Sequence, residues 1–332
     1  MIIITGVTGF IGKSLIKKLV KKYPKDEIVC LVKNDAPVYE KEGFNLLKKL
    51  KLKYILIDLK TGEGLPDFET QPELVIHMAA NTHTDEKDHS VNYKGTENLV
   101  RSLKKIGPKT HFIYFGTTAI MAGRKDCSKP FDETAKPFPT NEYGRTKLKS
   151  EKYLYKIAKK LKFRLTIVRL PTVYGKDARP DSFFDFIARL VNENSILVRL
   201  NWPGKTSLIY VEDVTDAVMS ISKKPPAPGI SRLLILASDS PSMSTIIATV
   251  YEVLGKNYRA INFPPFFWRW CSSARIVIFR LEKIFPPNIY NLLWRSSLVV
   301  DNVIYCKSSK TPKVLPGWKP SNIDNRIKTS LI

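Results

Sequence analysis

A chain of 332 residues, 43% hydrophobic and 11% aromatic, is long enough for one large α/β domain with a smaller annex, and too apolar to be disordered. Its 54 basic and 31 acidic residues leave a net charge of +23, which raises nucleic acid or an anionic surface as partners. Lysine supplies 39 of those basic residues and arginine 15. The excess is therefore mainly compact ammonium rather than the forked donor suited to base readout, and no nucleic-acid partner is expected.

Cys30, Cys127, Cys271 and Cys306 are far apart and form no C-x-x-C pair, so neither a local zinc motif nor a disulfide framework is expected. His77, His83, His89 and His111 lack metal-ligand spacing, and no metal is expected. Met1 runs directly into Ile2-Ile3-Ile4, which leaves no room for a signal peptide. No apolar run reaches the roughly 18 residues of a spanning helix. The expected location is cytoplasmic, with peripheral membrane contact left open.

Short Ile- and Val-rich runs at 1–4, 27–32, 53–57, 74–77, 111–115 and 164–169 lack strict alternation, as strands buried on both faces do. Helical spacing lies between them. Leu15, Ile16, Leu19 and Val20 share one face, while Lys13, Lys17, Lys18, Lys21 and Lys22 take the other. Strand–helix–strand repetition predicts an α/β fold, a Rossmann-type doubly wound parallel sheet.

Directly after the first strand comes Thr5-Gly6-Val7-Thr8-Gly9-Phe10-Ile11-Gly12, opening the first helix. Gly6 permits a tight turn, Gly9 lets backbone approach a pyrophosphate, and Gly12 lets helix and strand pack closely. Unpaired N–H groups at the helix start, those of Phe10 and Ile11 among them, favour an anion there. Thr8 belongs to the same turn, which reads as a dinucleotide site.

Farther along stands Tyr143-Gly144-Arg145-Thr146-Lys147. Helical positions i and i+4 share a face, so the Lys147 ammonium can approach the Tyr143 phenol. A nearby cation favours phenolate and draws its pKa down from about 10. Tyr143 is then suited to act as general base toward an alcohol, or general acid toward a carbonyl.

With its G-x-x-G-x-x-G spacing, the chain resembles the short-chain dehydrogenase/reductases, and most closely their extended branch, the NAD-dependent epimerase/dehydratase family. The likeness continues through Asp58-Leu59, Val75-Ile76-His77-Met78-Ala79-Ala80 and Asn92-Tyr93-Lys94-Gly95-Thr96-Glu97-Asn98-Leu99. It extends to Leu170-Pro171-Thr172-Val173-Tyr174-Gly175 and Leu208-Ile209-Tyr210-Val211-Glu212-Asp213-Val214. The resemblance implies that Asp58 and Leu59 receive the adenine, that Ala79, Ala80 and Pro171 lie along the cofactor, and that Lys147 holds the nicotinamide ribose. It also implies a substrate-orienting hydroxyl after the fifth strand. Counting back from Gly123 selects Thr118, with Thr117 beside it. Lys33 stands where members with a basic residue hold the 2′-phosphate of NADP, and Asp35 follows two positions later. NADP is therefore favoured over NAD.

Nucleotide-sugar enzymes of this family usually carry an arginine-aspartate pair before the Ile-Tyr-Val segment. This chain has Lys205-Thr206-Ser207-Leu208 instead, a point charge without the bidentate fork. Within 263–294, Trp270, Ala274, Val277, Ile278, Leu281, Ile284 and Phe285 fall on one helical stripe, with Arg269, Arg275, Arg280, Glu282 and Lys283 opposite. Phe266, Phe267, Trp268 and Trp294 flank it. Such a helix suits either a lid over a greasy pocket or an anionic bilayer surface.

The expected organisation is an NAD(P)-binding domain over 1–175, to which 206–238 returns, and a smaller substrate-binding or lid domain over most of 176–332. The expected activity is NAD(P)-dependent hydride transfer at an alcohol or carbonyl carbon of a small, lipid-like substrate. A nucleotide-sugar epimerase or dehydratase is the first alternative, and a non-catalytic cofactor-binding subunit the second. The expected partners are that small-molecule substrate and a second copy of the chain in a homodimer.

Overall fold

Thr5 ends a strand, β1 (Ile2–Thr5), whose four residues are all buried, which is why it reads as an unbroken apolar run. In this computed structural model, residues 1–34, 38–83, 86–180, 182–278, 284–323 and 326–327 are described. After β1 come α1 (Phe10–Leu19), β2 (Ile28–Lys33), α2 (Lys41–Leu50), β3 (Lys53–Ile57), β4 (Leu74–His77), α3 (Val91–Ser102) and β5 (His111–Thr117). They are followed by α4 (Glu142–Leu161), β6 (Arg164–Leu170), β7 (Thr172–Tyr174), α5 (Phe183–Asn192), β8 (Leu208–Tyr210), α6 (Val211–Ser222), β9 (Ser231–Ile235) and α7 (Met243–Val253). The last long helices are α8 (Pro265–Ile278) and α9 (Pro287–Val299).

Seven strands form one sheet in the order β3-β2-β1-β4-β5-β6-β9, with every pairing parallel. Both faces are covered, as a parallel sheet requires. On one, Leu15, Ile16 and Leu19 of α1, Leu47 of α2, and Val214, Val218 and Ile221 of α6 share a core. On the other, Leu99 and Val100 of α3 and Leu154 and Ala158 of α4 pack on Phe112 and Tyr114. Chain order reverses between β1 and β4, and ligands of such sheets bind at the carboxyl ends of the strands flanking that point.

Two expectations differ from what is observed. Residues 206–210 do not join the main sheet. The open edge of β6 is taken by β9, and Leu208–Tyr210 pairs with Thr172–Tyr174 in a separate two-stranded sheet. From there α6 returns to the main sheet's flank, where Asp216 meets Lys18 at 2.6 Å.

The stripe predicted from Trp270 to Phe285 is not held by one helix: Ile284 and Phe285 lie outside α8. α9 starts at Pro287, whose fixed φ and missing N–H suit a first helical position. On α8, Trp270 and Val277 are 69% and 58% exposed, whereas Arg275, assigned to the outer face, is 4% exposed. Its Nη2 donates to the Arg124 carbonyl at 2.9 Å, and its Nη1 lies 3.6 Å from Cys127 Sγ. The packed face is instead set by Trp268, 5.2 Å from Trp202, and by Ser272, bonded to Asp301. Arg280, Leu281, Glu282 and Lys283 lie outside the described residues, as does the Ile278 side chain. Among the described residues, no helix is long and apolar enough to cross a membrane.

Candidate active site

The turn between β1 and α1 forms one wall of a cleft of 1490 Å³. Gly6 has φ +72°, and a Cβ there would fall 2.7 Å from the Ala79 nitrogen. A Cβ on Gly12 would lie 2.2 Å from the Gly6 carbonyl oxygen. Both positions therefore exclude a side chain because of neighbouring backbone. Gly9 differs: its nearest protein atom would be 3.4 Å from a Cβ. The protein itself leaves room for a methyl there, so the bare backbone serves an approach from the cleft. Gly9 also caps α1 with no side-chain hydrogen bond, and the first turn holds no acidic residue. Such an end attracts an anion. These features fit a dinucleotide pyrophosphate.

At the far end of this wall, Asp58 and Leu59 leave β3 and line the cleft. Asp58 Oδ1 accepts from the backbone nitrogens of Lys60 (2.7 Å) and Thr61 (3.4 Å), which fixes the turn. Lys33, exposed at the end of β2, lines the same end, together with Glu40 and Glu42. Thr8 Oγ1 donates to Glu40, and Lys13 pairs with Glu42 at 2.8 Å. Asp35 lies outside the described residues.

Across the cleft, the Asn141 side chain accepts from Gly144 N at 2.9 Å and starts α4. That cap sets Tyr143 in the first turn and Lys147 one turn on. Thr117, at the end of β5, accepts from Ala119 N at 3.1 Å and lines the cleft with Tyr143. Thr118 follows it, 2% exposed, and lines the same cleft. Phe10, Ile11, Ala79, Ala80 and Pro171 line it too, so the residues expected to hold the cofactor and those expected to act on the substrate, Tyr143, Lys147 and Thr118, border one cavity.

The electrostatics differ from the sequence expectation. Lys147 Nζ donates to the Phe115 carbonyl oxygen and sits 4.2 Å from the Tyr114 ring centroid. Burial pushes its pKa down to about 7, against the opposing pull of Glu151. The Tyr143 phenol is pushed up by burial, while Thr117 and the Arg179 charge act the other way. Among the charges acting on the phenol is that of Arg179. This residue reaches the cleft from the loop after β7, and its Nη1 donates to Thr82 at 2.8 Å.

Arg179 carried no signal in the sequence, because a loop arginine has no periodic neighbour. His89 packs near the Tyr143 ring, with centroids 5.8 Å apart, but is not among the residues lining the cleft. Lys205 is likewise not among the residues lining the cleft; its ammonium lies over Tyr305 at 5.2 Å.

The profile of the NAD dependent epimerase/dehydratase family matches residues 2–232, and the chain belongs to that family. A human dTDP-D-glucose 4,6-dehydratase is 29% identical over 232 residues, and the chain covers 65% of that relative's length with 67% of its own. A UDP-glucose 4-epimerase of Vibrio cholerae is 27% identical over an aligned 334 positions, 96% of this chain and 90% of that one. In fold, the chain is similar to a UDP-glucuronic acid 4-epimerase of Bacillus cereus solved with UDP-glucuronic acid and NAD. That match has a TM-score of 0.72 and 19% identity, over 99% of this chain and 97% of the other.

Proposed function

We propose that this protein is an NAD(P)-dependent oxidoreductase of the extended short-chain type, acting at an alcohol or carbonyl carbon of a small molecule. The observation that carries the reading is that Thr117, Thr118, Tyr143 and, one helical turn on, Lys147 line one cleft with the Gly6–Gly12 turn. When bound, the nicotinamide supplies or accepts the hydride. Tyr143 Oη gives a proton to the developing alkoxide or takes one from the alcohol. Thr117 and Thr118 hold the reacting oxygen, and Lys147 holds the ribose. Gly9 and the start of α1 take the pyrophosphate, with Asp58 and Leu59 at the adenine.

At the adenosine end Lys33 supports NADP(H), since its ammonium suits a 2′-phosphate. NAD(H) is the second reading. Glu40 and Glu42 border the same end and would repel that phosphate. A rival within the family is transient oxidation of a nucleotide-sugar with cofactor regenerated, the kind of activity named for the relatives above.

Incubation with NADPH or NADH and separate carbonyl and nucleotide-sugar panels tests these readings. Net cofactor oxidation that disappears in Tyr143→Phe supports the oxidoreductase. Sugar isomerisation or dehydration without net oxidation overturns it.

A further inference from the structure

The cleft is larger than the about 300–1,000 Å³ typical of one small-molecule site, so it has room for a second ligand beside a dinucleotide. Beyond Tyr143 it continues between α5, α7, α9 and the segment joining α5 to β8. There the wall is built by Phe186, Leu190, Leu197, Trp202, Ile247 and Leu298. The Trp202 indole N–H is committed to the Leu197 carbonyl at 2.7 Å, so that ring offers the cavity apolar surface. From Phe183 onward, among the described residues lining the cleft, the charged side chain is Arg295, 5.8 Å from the Phe186 ring.

A nucleoside diphosphate brings two phosphates and a polar base into such a site. It calls for several charged or hydrogen-bonding partners. This wall supplies few, with Thr206, Arg295 and Ser296 set among apolar residues and Arg179 and Ser182 just ahead of Phe183, while Lys205 turns away to Tyr305. The rim matches the interior. Leu292, which lines the arm, is 43% exposed, and Ile289, one turn earlier on α9, is 44% exposed.

We infer that this arm binds an apolar chain or ring system of the substrate, whose carbinol or carbonyl end reaches Tyr143. The inference deepens the oxidoreductase reading and rests on it for the placement of the reactive end. Burial of each methylene against this wall strengthens binding, and the apolar rim admits the chain from the α9 side.

The test is calorimetric titration of the 2-alkanols from 2-pentanol to 2-decanol, and of uridine diphosphate, into the protein with and without NAD(P)H. Affinity should rise about threefold to fourfold per methylene. In Leu190→Asp, a position that is only partly buried, that increment should shrink. A flat response along the series in the wild-type protein overturns the inference, as does uridine diphosphate binding tighter than every alkanol and displacing them. Alkanol affinity is read apart from turnover. A steep series without any hydride transfer therefore counts against the oxidoreductase reading alone, and a flat series with transfer intact counts against the arm alone.

Discussion

The ammonium of Lys147 sits 4.2 Å from the ring centroid of Tyr114, on the strand beneath its helix. Cation–π contact and the Phe115 carbonyl hold it there while burial draws its pKa to about 7. One turn farther along α4, Glu151 forms a buried pair with Arg169 at 2.7 Å.

Because Glu151 favours the charged lysine, its removal has a defined sign. The pH profile of kcat/KM reports groups of the free enzyme, so it should inflect near pH 7, with activity falling on the alkaline side as Lys147 loses its proton. Glu151→Gln should move that inflection to lower pH. A shift to higher pH contradicts the assignment.

Tyr143→Phe removes the oxygen proposed to carry the proton and little else from a partly buried ring. Turnover should fall about 10²- to 10⁴-fold, the range for loss of a general acid–base group. Dinucleotide affinity, measured by nicotinamide fluorescence, should stay within about twofold, well under 1.4 kcal/mol. Full activity in this variant would remove the phenol from the mechanism.

The glycine turn separates folding from binding. Gly6→Ala puts a side chain at φ +72° and against Ala79, at a cost of about 1–3 kcal/mol for the backbone alone, so thermal unfolding should shift down. Gly9→Ala meets no backbone closer than 3.4 Å and should leave the unfolding temperature nearly unchanged. Its methyl instead occupies the pyrophosphate's approach, and affinity should drop about tenfold or more, 1.4 kcal/mol upward. Equal dinucleotide affinity in Gly9→Ala and wild type argues against this site.

Acid stability follows from two histidines. His77, held between Thr5 and Thr96, is pushed down to about 3 by burial, and His111 to about 4. The unfolded chain binds protons near 6.5 and the folded one much lower, so each contributes stability that is full above 6.5 and lost as pH falls. The loss approaches about 1.4 kcal/mol per pH unit per histidine. Melting temperatures should decline from pH 6.5 toward 4, and ring NMR signals of His77 should show no titration above pH 4. A His77 signal titrating near 6.5 contradicts this picture.

The proposed role of Lys33 at a 2′-phosphate is tested by reversing its charge. Lys33→Glu should lower the NADPH-to-NADH ratio of kcat/KM by about tenfold or more, the scale of one lost charge-assisted contact. An unchanged ratio assigns the adenosine end to Glu40 and Glu42 instead.

Much of the site was legible in the sequence because it is built from local patterns. Gly6, Gly9 and Gly12 follow a strand and open a helix, and Tyr143 and Lys147 share a helical face, so spacing alone brings each group together. The parallel strands were visible because burial on both faces removes alternation. What spacing cannot show is which side chain crosses between elements. Arg179 reaches the cleft from a loop, and Lys147 turns to Tyr114 because β5 lies under it. The stripe misled because one helical period was carried beyond α8 to Ile284 and Phe285, and because Arg275 found a buried partner in the Arg124 carbonyl. The apolar arm was likewise invisible, since Leu190, Trp202, Ile247 and Leu298 meet only in three dimensions.

The central claim is that one cleft joins a dinucleotide turn to a phenol that moves the substrate's proton. Its most direct test is single-turnover hydride transfer from bound NAD(P)H to a carbonyl substrate, followed by nicotinamide absorbance in wild type and Tyr143→Phe. The account predicts saturable dinucleotide binding in both, with transfer in wild type and transfer slowed at least about a hundredfold in the variant. Equal transfer rates in the two proteins, or no dinucleotide binding to either, contradict it.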